Sequence, residues 1–426
     1  MELAGKSAAH AAPRVLVFIE DGSFLFDNRV KRETKTLQSA GFQVSVICPR
    51  YPGERWADKV GETYVYRYPK FAPGEGMLAH ACEYACSLFF GGLLSLWVAV
   101  RRGFDVIQLC NPPDFLFPIA AVFRLFGKKY IYDHHDLCPE LFESRFGSQR
   151  SMVVAILRWS ERMSWRLAHG VISTNESYRQ TAIRRGGVAP ENAVVVRNGP
   201  DLEHFRDWAE PGDKARVRVG YIGNMNPQDG VDYLVRAAHH VRHDQGRTDV
   251  DFVFIGKGDS FEELNRLKSE LGLDDCVRFT GRISDAEVQV ELSACDIGCQ
   301  PDPLNPLNAV STMNKALEYM ALGKPVVAFD LVETRVSCGD AALYAEKNDP
   351  KELARLILRL ADDVELRRTL GFAGRKRIEE RLAWKYSEKP FLSMYYSVLG
   401  LEFPEDVRSG LAEVEAREPE ETLAVS

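Results

Sequence analysis

Short apolar runs separated by longer amphipathic stretches recur along this chain. Residues 14–20 (RVLVFIE) form an apolar run, bounded by Arg14 and Glu20, of the kind buried on both faces of a parallel sheet. The stretch 21–40 reads as a loop leading into a helix that stops at Gly41, and residues 42–48 (FQVSVIC) return as a second strand. Strand, helix and strand at this spacing make a βαβ unit, so the sheet should be parallel, with ligands at the carboxyl ends of its strands. Residues 130–132, 170–174 and 193–196 read as later strands of this half, and Arg197-Asn198-Gly199-Pro200 punctuates its end. The pattern then restarts, with strands expected at 217–222, 251–255, 277–280 and 296–300. The expected fold is therefore α/β, with two Rossmann-like doubly wound domains facing a cleft. The first should cover 1–205 and the second 206–385, after a polar linker beginning near 207. A C-terminal helix over 386–403 should pack back on the first domain, and the acidic stretch 404–426, poor in apolar residues, reads as a mobile tail.

Two stretches depart from this pattern. Residues 77–102 turn strongly apolar, yet the uninterrupted part, 85–100, falls short of the ~20 residues of a spanning helix, so a buried or interfacial helix is expected. Residues 151–170 mix Trp159, Met163 and Trp165 with Arg158, Arg162 and Arg166, which suits a helix lying on anionic lipid. An amphipathic helix packed on the sheet, with its arginines in water, has the same composition.

Bulk properties narrow the function classes. At 426 residues the chain exceeds one ordinary core, and a net charge of −7 argues against general nucleic-acid binding. Nine cysteines without a CxxC pair read as reduced thiols of a cytosolic protein, with no structural metal. Residues 1–13 lack an apolar signal region and read as a loose leader.

The richest chemistry lies in residues 300–330 (QPDPLNPLNAVSTMNKALEYMALGKPVVAFD). Ser311 and Thr312 are good N-cap residues, and Gly323 with Pro325 makes a helix stop, so a helix is expected from about Thr312 to Leu322. Ser311, Lys315 and Glu318 would share one face, the first two near an anion-attracting helix start and Glu318 about 10 Å further on. That arrangement suits a diphosphate and a ribose; an ordinary surface pair of Lys315 and Glu318 fits the same spacing. The loops beginning at Gly223 (GNMNPQDG) and Gly256 (GKGD) can each turn backbone N–H groups toward phosphate. In the first half, the Gly22-Ser23 loop, Asp27 and Arg29 at the start of the next helix, and the Asp133-His134-His135-Asp136 loop all lie at strand carboxyl ends.

These residues resemble the GT-B glycosyltransferases of the large retaining class that uses nucleotide sugars, over nearly the whole chain. The most specific segment is EYMALGKPVVAF at 318–329, similar to the family's E-A-M-A-x-G-x-P-V-V segment. The resemblance implies that Glu318 holds the nucleotide ribose. It implies further that His135, within IYDHHDL, contacts the donor sugar beside Asp136, and that the backbone of Gly281-Arg282-Ile283 contacts the base. FDNRVKRE and the NPPD at Asn111 look like a subgroup that builds bacterial surface polysaccharides with N-acetylhexosamines or related sugars. Gly22, Ser23, Asp27, Arg29 and Asp136 are the acceptor-side candidates. Gly223, Asn224, Lys257, Ser311, Thr312, Lys315 and Glu318 are the donor-side ones. His135, Lys315 and Glu318 are the candidates for catalysis.

Two departures stand out. The family's E-x7-E pattern would place its first carboxylate at Val310, with Asn308, Ser311 and Thr312 as neutral substitutes nearby. The Arg and Lys that many members carry in the loop after the first strand of the second domain are replaced by Asn224 and Asp229. A departing diphosphate still needs positive charge, which Lys315, Lys257 and Arg335 are expected to supply. The resemblance implies transfer with retention from a nucleotide sugar, expected to be a UDP-sugar, to a lipid-linked or saccharide acceptor. No further cofactor or divalent metal is required, and the place of action would be the inner membrane face. A sugar-nucleotide epimerase and a non-catalytic nucleotide-sugar scaffold are the alternatives.

Overall fold

The computed structural model describes residues 12–71, 77–147, 151–205, 215–346 and 348–415. Nearly all of the leader, most of the expected linker and the last residues of the tail lie outside the described residues. The first half carries an eight-stranded sheet in the order β3-β4-β2-β1-β5-β6-β7-β8. Its strands are β1 (Arg14–Phe18), β2 (Gln43–Arg50), β3 (Ala57–Val60), β4 (Thr63–Pro69), β5 (Val106–Cys110), β6 (Lys129–His134), β7 (Gly170–Ser173) and β8 (Ala193–Val195). All pairs are parallel except β3 with β4, an antiparallel edge. The second half carries a six-stranded sheet in the order β11-β10-β9-β12-β13-β14. Its strands are β9 (Val217–Ile222), β10 (Val250–Ile255), β11 (Val277–Gly281), β12 (Ile297–Gln300), β13 (Val326–Phe329) and β14 (Ala342–Ala345). In this sheet the strand order reverses between β9 and β12, so a crevice opens beyond their carboxyl ends.

The two halves are joined twice. Near 199 the chain leaves the first sheet, and at Trp384 it returns; the Trp384 N–H donates to the Pro200 carbonyl at 3.1 Å. Gly199 permits this crossing, because a Cβ there would stand 2.1 Å from the Leu382 carbonyl oxygen. The helix Trp384–Leu399 then buries Phe391 and Tyr395 in the core that holds Val15 and Val106. Trp384 Nε1 donates to Thr36 Oγ1 at 3.0 Å, fixing that helix to the first half. The stretch expected to be mobile from residue 404 instead forms a helix over Glu405–Glu415, because Val407 is buried and Leu411 packs on the same core.

The apolar stretch is a helix over Met77–Arg101, and its segment Cys82–Arg101 is, by length and composition alone, long and apolar enough to cross a membrane. That corrects the short run expected from the pattern. The helix nevertheless belongs to the sheet layer: a Cβ at Gly91 would meet the Phe18 ring at 2.3 Å, and Ser87 Oγ donates to Glu20 at 2.8 Å. Its outer face, with the neighbouring helices Phe117–Leu125 and Ser151–Leu167, leaves Phe89, Leu93, Trp97, Leu125 and Trp159 exposed. Arg158, Arg162 and Arg166 are exposed beside Trp159, whereas Trp165 is buried against His134 at 5.4 Å and is not part of that surface.

Candidate active site

A cavity of about 1000 Å³ lies between the carboxyl ends of the two sheets. From the first half it is lined by Gly22, Ser23, Asp27, Arg29, Arg32, His135 and Asp136, among others. From the second half, Asn224, Arg282, Ser311, Thr312 and Glu318 reach it. Gly223, Lys257, Gly281, Ile283 and Lys315 do not line it.

The helix of the signature segment spans Asn314–Ala321, shorter than expected, with Met313 at its N-cap and no side-chain cap bond. Ser311 is extended rather than helical, because the first half claims the two hydroxyls expected to cap. Tyr178 Oη and Ser311 Oγ share a hydrogen bond of 2.7 Å, and Asn175 Nδ2 donates to Thr312 Oγ1 at 3.1 Å. Glu333, from the helix Val332–Cys338, joins this seam by accepting from Ser177 Oγ at 2.5 Å. Ser311 and Thr312 therefore hold the halves together at the cavity wall.

Lys315 turns away from the cavity. Its ammonium is 2.7 Å from Asp302 Oδ1 and 5.2 Å from the centre of the Tyr221 ring, and the side chain is buried. Burial opposes its charge, but Asp302 and Asp229 outweigh that and raise its pKa. Burial raises the carboxyl of Asp302, and pushes that of Asp229 to about 6. Asp229 also accepts from the Asn226 N–H at 2.9 Å, closing its own loop. This loop and the one at Gly256 press together: a Cβ at Gly256, whose φ is +128°, would meet the Gly223 carbonyl oxygen at 2.0 Å. Lys257 is exposed, with its ammonium 5.2 Å from the Phe261 ring centre. Arg335 pairs with Asp330 at 2.5 Å and lies outside the cavity.

Glu318 faces the cavity. Burial pushes its carboxyl up to about 7, with Arg32 of the opposite half the strongest opposing charge and Lys315 the next. A carboxylate so placed can accept two hydrogen bonds from vicinal hydroxyls.

On the first sheet, Arg29 is buried against Asp133 at 2.9 Å and Glu33 at 2.9 Å, and donates to the Val196 carbonyl and Asn198 Oδ1. Its edge reaches the cavity, but its charge is spent on this network. Asp27 is the N-cap of the helix Asn28–Ser39, accepting from the Val30 N–H at 2.9 Å. Ser23 Oγ donates to Glu54, so its hydroxyl is committed too. His135 Nε2 lies 2.8 Å from Asp133 Oδ2. Burial works against a charged imidazole there, but Asp133 overrides it and raises the His135 pKa. Asp133, despite burial, is held below the usual carboxylate range by Arg29 and His135.

Asn111 sets the height of this loop, donating to the Asp136 carbonyl at 2.6 Å and accepting from the His135 N–H at 2.5 Å and the Asp136 N–H at 3.1 Å. The NPPD motif is thus the support of the DHHD loop, a role its sequence alone does not display. Arg32 is absent from the sequence candidates, and its signal is its place in FDNRVKRE on the helix that follows β1. Cys110, Asp133 and His135 bring three potential metal ligands within 4.8 Å, but the Arg29 guanidinium occupies the same carboxylate, which disfavours a cation there.

Comparison with known proteins agrees with this arrangement. Residues 27–199 match the family described as a glycosyl transferase 4-like domain, and residues 216–363 match glycosyl transferases group 1. The alpha-D-kanosaminyltransferase of Streptomyces kanamyceticus is 27% identical over 55% of this chain and 64% of its own length. Across the first curated relatives, the match spans from 49% to 74% of their lengths. Among solved structures, a sucrose-phosphate synthase from Thermosynechococcus elongatus superposes with a TM-score of 0.74 at 18% identity, over 91% of this chain and 99% of that one. Anabaena HepE in complex with UDP-glucose gives 0.67 at 18% identity, over 90% and 99%. Two largely parallel sheets facing one cavity, and family matches to both halves, identify the chain as a glycosyltransferase of the GT-B type.

Proposed function

We propose that the protein transfers a hexosyl or N-acetylhexosaminyl group, with retention, from a UDP-sugar to a lipid-linked or saccharide acceptor in the making of a surface polysaccharide. The observation that carries this reading is Glu318, the one residue of the signature segment that both lines the cavity and keeps a carboxylate free of ion pairs within 4 Å among the described residues. It is the ribose ligand. The sugar lies toward His135, whose imidazole, oriented by Asp133, binds a sugar hydroxyl rather than acting as a free base. Front-side attack assisted by the departing phosphate is the route we favour over double displacement. The binding of UDP-glucose by the HepE neighbour supports a nucleotide sugar as partner.

The apolar outer face around Phe89, Trp97 and Trp159, with its exposed arginines, would rest on an anionic membrane at the inner face, delivering a lipid-linked acceptor to the cavity. No metal takes part in this proposal. Incubation with labelled UDP-sugars and a membrane lipid extract tests it: label should move into lipid or oligosaccharide. An epimerised donor, or binding without turnover, would replace this reading by one of the two alternatives. Flotation with anionic liposomes checks the membrane contact separately, and protein left in the lower fraction would remove it.

A further inference from the structure

The lysines of the second half expected to meet a diphosphate do not line the cavity. Asn224 and Asp229 occupy the loop after β9, Lys315 is buried against Asp302 with Asp229 nearby, and Lys257 is outside the cavity. Five lysines and arginines line the cavity: Arg29, Lys31, Arg32, Lys35 and Arg282. Arg29 is consumed by Asp133 and Glu33. Lys31 donates to the Leu25 carbonyl at 3.0 Å, and Lys35 lies 4.0 Å from Asp201 and 3.8 Å from Glu203. Arg282 is exposed at the rim.

Arg32 is different. It sits one helical turn beyond Arg29 on the helix Asn28–Ser39, with its guanidinium 5.3 Å from the Trp384 ring centre. Its Nε is buried without a hydrogen-bond partner, and it forms no ion pair within 4 Å among the described residues. The charged groups acting on it are Arg29, which repels, and Glu318, Glu33 and Asp27, which attract; burial and Arg29 together lower its pKa. A guanidinium with unused donors, facing the carboxylate that would hold the ribose, is placed for the group next to that ribose.

We propose that Arg32, reaching across from the first half, binds the diphosphate of the donor and supplies charge in place of the buried Lys315. This rests on the nucleotide-sugar reading of the same cavity. In the transfer, the acceptor oxygen bonds to the anomeric carbon as the bond from that carbon to the phosphate oxygen breaks. The electron pair stays on the phosphate, which takes the acceptor's proton, and Arg32 faces the charge that accumulates. Because Arg32 and Glu318 belong to opposite halves, the nucleotide, with its diphosphate on the first and its ribose on the second, would also bridge them.

Binding of UDP and of uridine to wild type, Arg32→Gln, Arg32→Lys and Lys35→Gln tests the proposal. UDP affinity should fall on the order of tenfold or more in Arg32→Gln and partly recover in Arg32→Lys, with uridine affinity unchanged. Lys35→Gln, which removes an exposed charge from the same helix, should bind both as wild type does. Arg32→Gln binding UDP like wild type, or losing UDP and uridine equally, would overturn the role. Arg32→Lys keeps charge and packing, so its ratio of UDP to uridine affinity decides the matter if Arg32→Gln is unstable. A wild-type protein that binds neither ligand would overturn the underlying nucleotide-sugar reading instead, an outcome separate from failure of Arg32 alone.

Discussion

Behind the carboxyl ends of the first sheet, Arg29 meets Asp133 and Glu33, and His135 meets the same Asp133, so buried charges of both signs are interlocked. Behind the second sheet, Lys315 faces Asp302 and Asp229, two acids to one base, and Glu318 stands apart at the cavity. The first arrangement fixes geometry: its members are hydrogen-bonded, buried and unable to move singly. The second leaves no surplus positive charge on Lys315 for an anionic ligand. The proposed division of labour follows from this contrast: the second half would grip the nucleoside and the first would contribute charge through Arg32.

The largest effect should come from breaking the interlocked side. Arg29→Met leaves Asp133 and Glu33 buried without their cation, and should lower unfolding stability by about 3–5 kcal/mol in denaturant titration. An effect below about 1 kcal/mol would show that water, not Arg29, solvates the pair. Next, Glu318→Gln should lower kcat/KM for the donor by about 10- to 100-fold with folding retained, as expected for loss of a charged hydrogen bond. Donor affinity in wild type should rise as pH rises through about 7, where the Glu318 carboxyl ionises, and this rise should be absent in the variant.

Lys315→Ala should cost both stability and turnover, because Asp302 is left buried and unpaired. The double change Lys315→Met with Asp302→Leu should recover the stability. Turnover restored along with it would mean that Lys315 serves the fold alone, whereas turnover still lost would place its charge in the transfer. Lys257→Ala should be nearly silent by the same assay.

A smaller, pH-limited effect concerns His134, enclosed by Tyr132, Trp165 and Tyr178. Burial lowers its pKa to about 3, so the unfolded chain binds the extra proton first on acidification. The contribution of neutral His134 is complete above the ordinary histidine pKa of about 6.5 and is lost as pH falls toward 3. His134→Phe should flatten the stability curve in that window; an unchanged acid limb would remove His134 as its cause.

The alternation of apolar runs, glycine stops and loops made the central strands such as β1, β2 and β10 legible, since they are buried along most of their length, whereas the edge strand β3, with no buried residue, gave no such signal. Glu318 was legible because its segment is specific. What pattern could not show was which charges are already spent. Arg29 and Arg32 sit one turn apart on one helix and look alike in sequence; Asp133, on another strand far along the chain, takes the first and leaves the second. Ser311 and Thr312 read as helix caps until Tyr178 and Asn175 of the other half are seen to hold them. Likewise, Lys315 read as a phosphate ligand because Asp302, beyond a proline-rich loop, had no visible reason to reach it.

The most direct test of a donor gripped by one half and neutralised by the other is a crystal structure with UDP bound. The ribose hydroxyls should lie within hydrogen-bond distance of the Glu318 carboxylate, with the diphosphate between the helix Asn314–Ala321 and the Arg32 guanidinium. A diphosphate turned toward Lys257 and away from Arg32, or a ribose without contact to Glu318, would contradict the account.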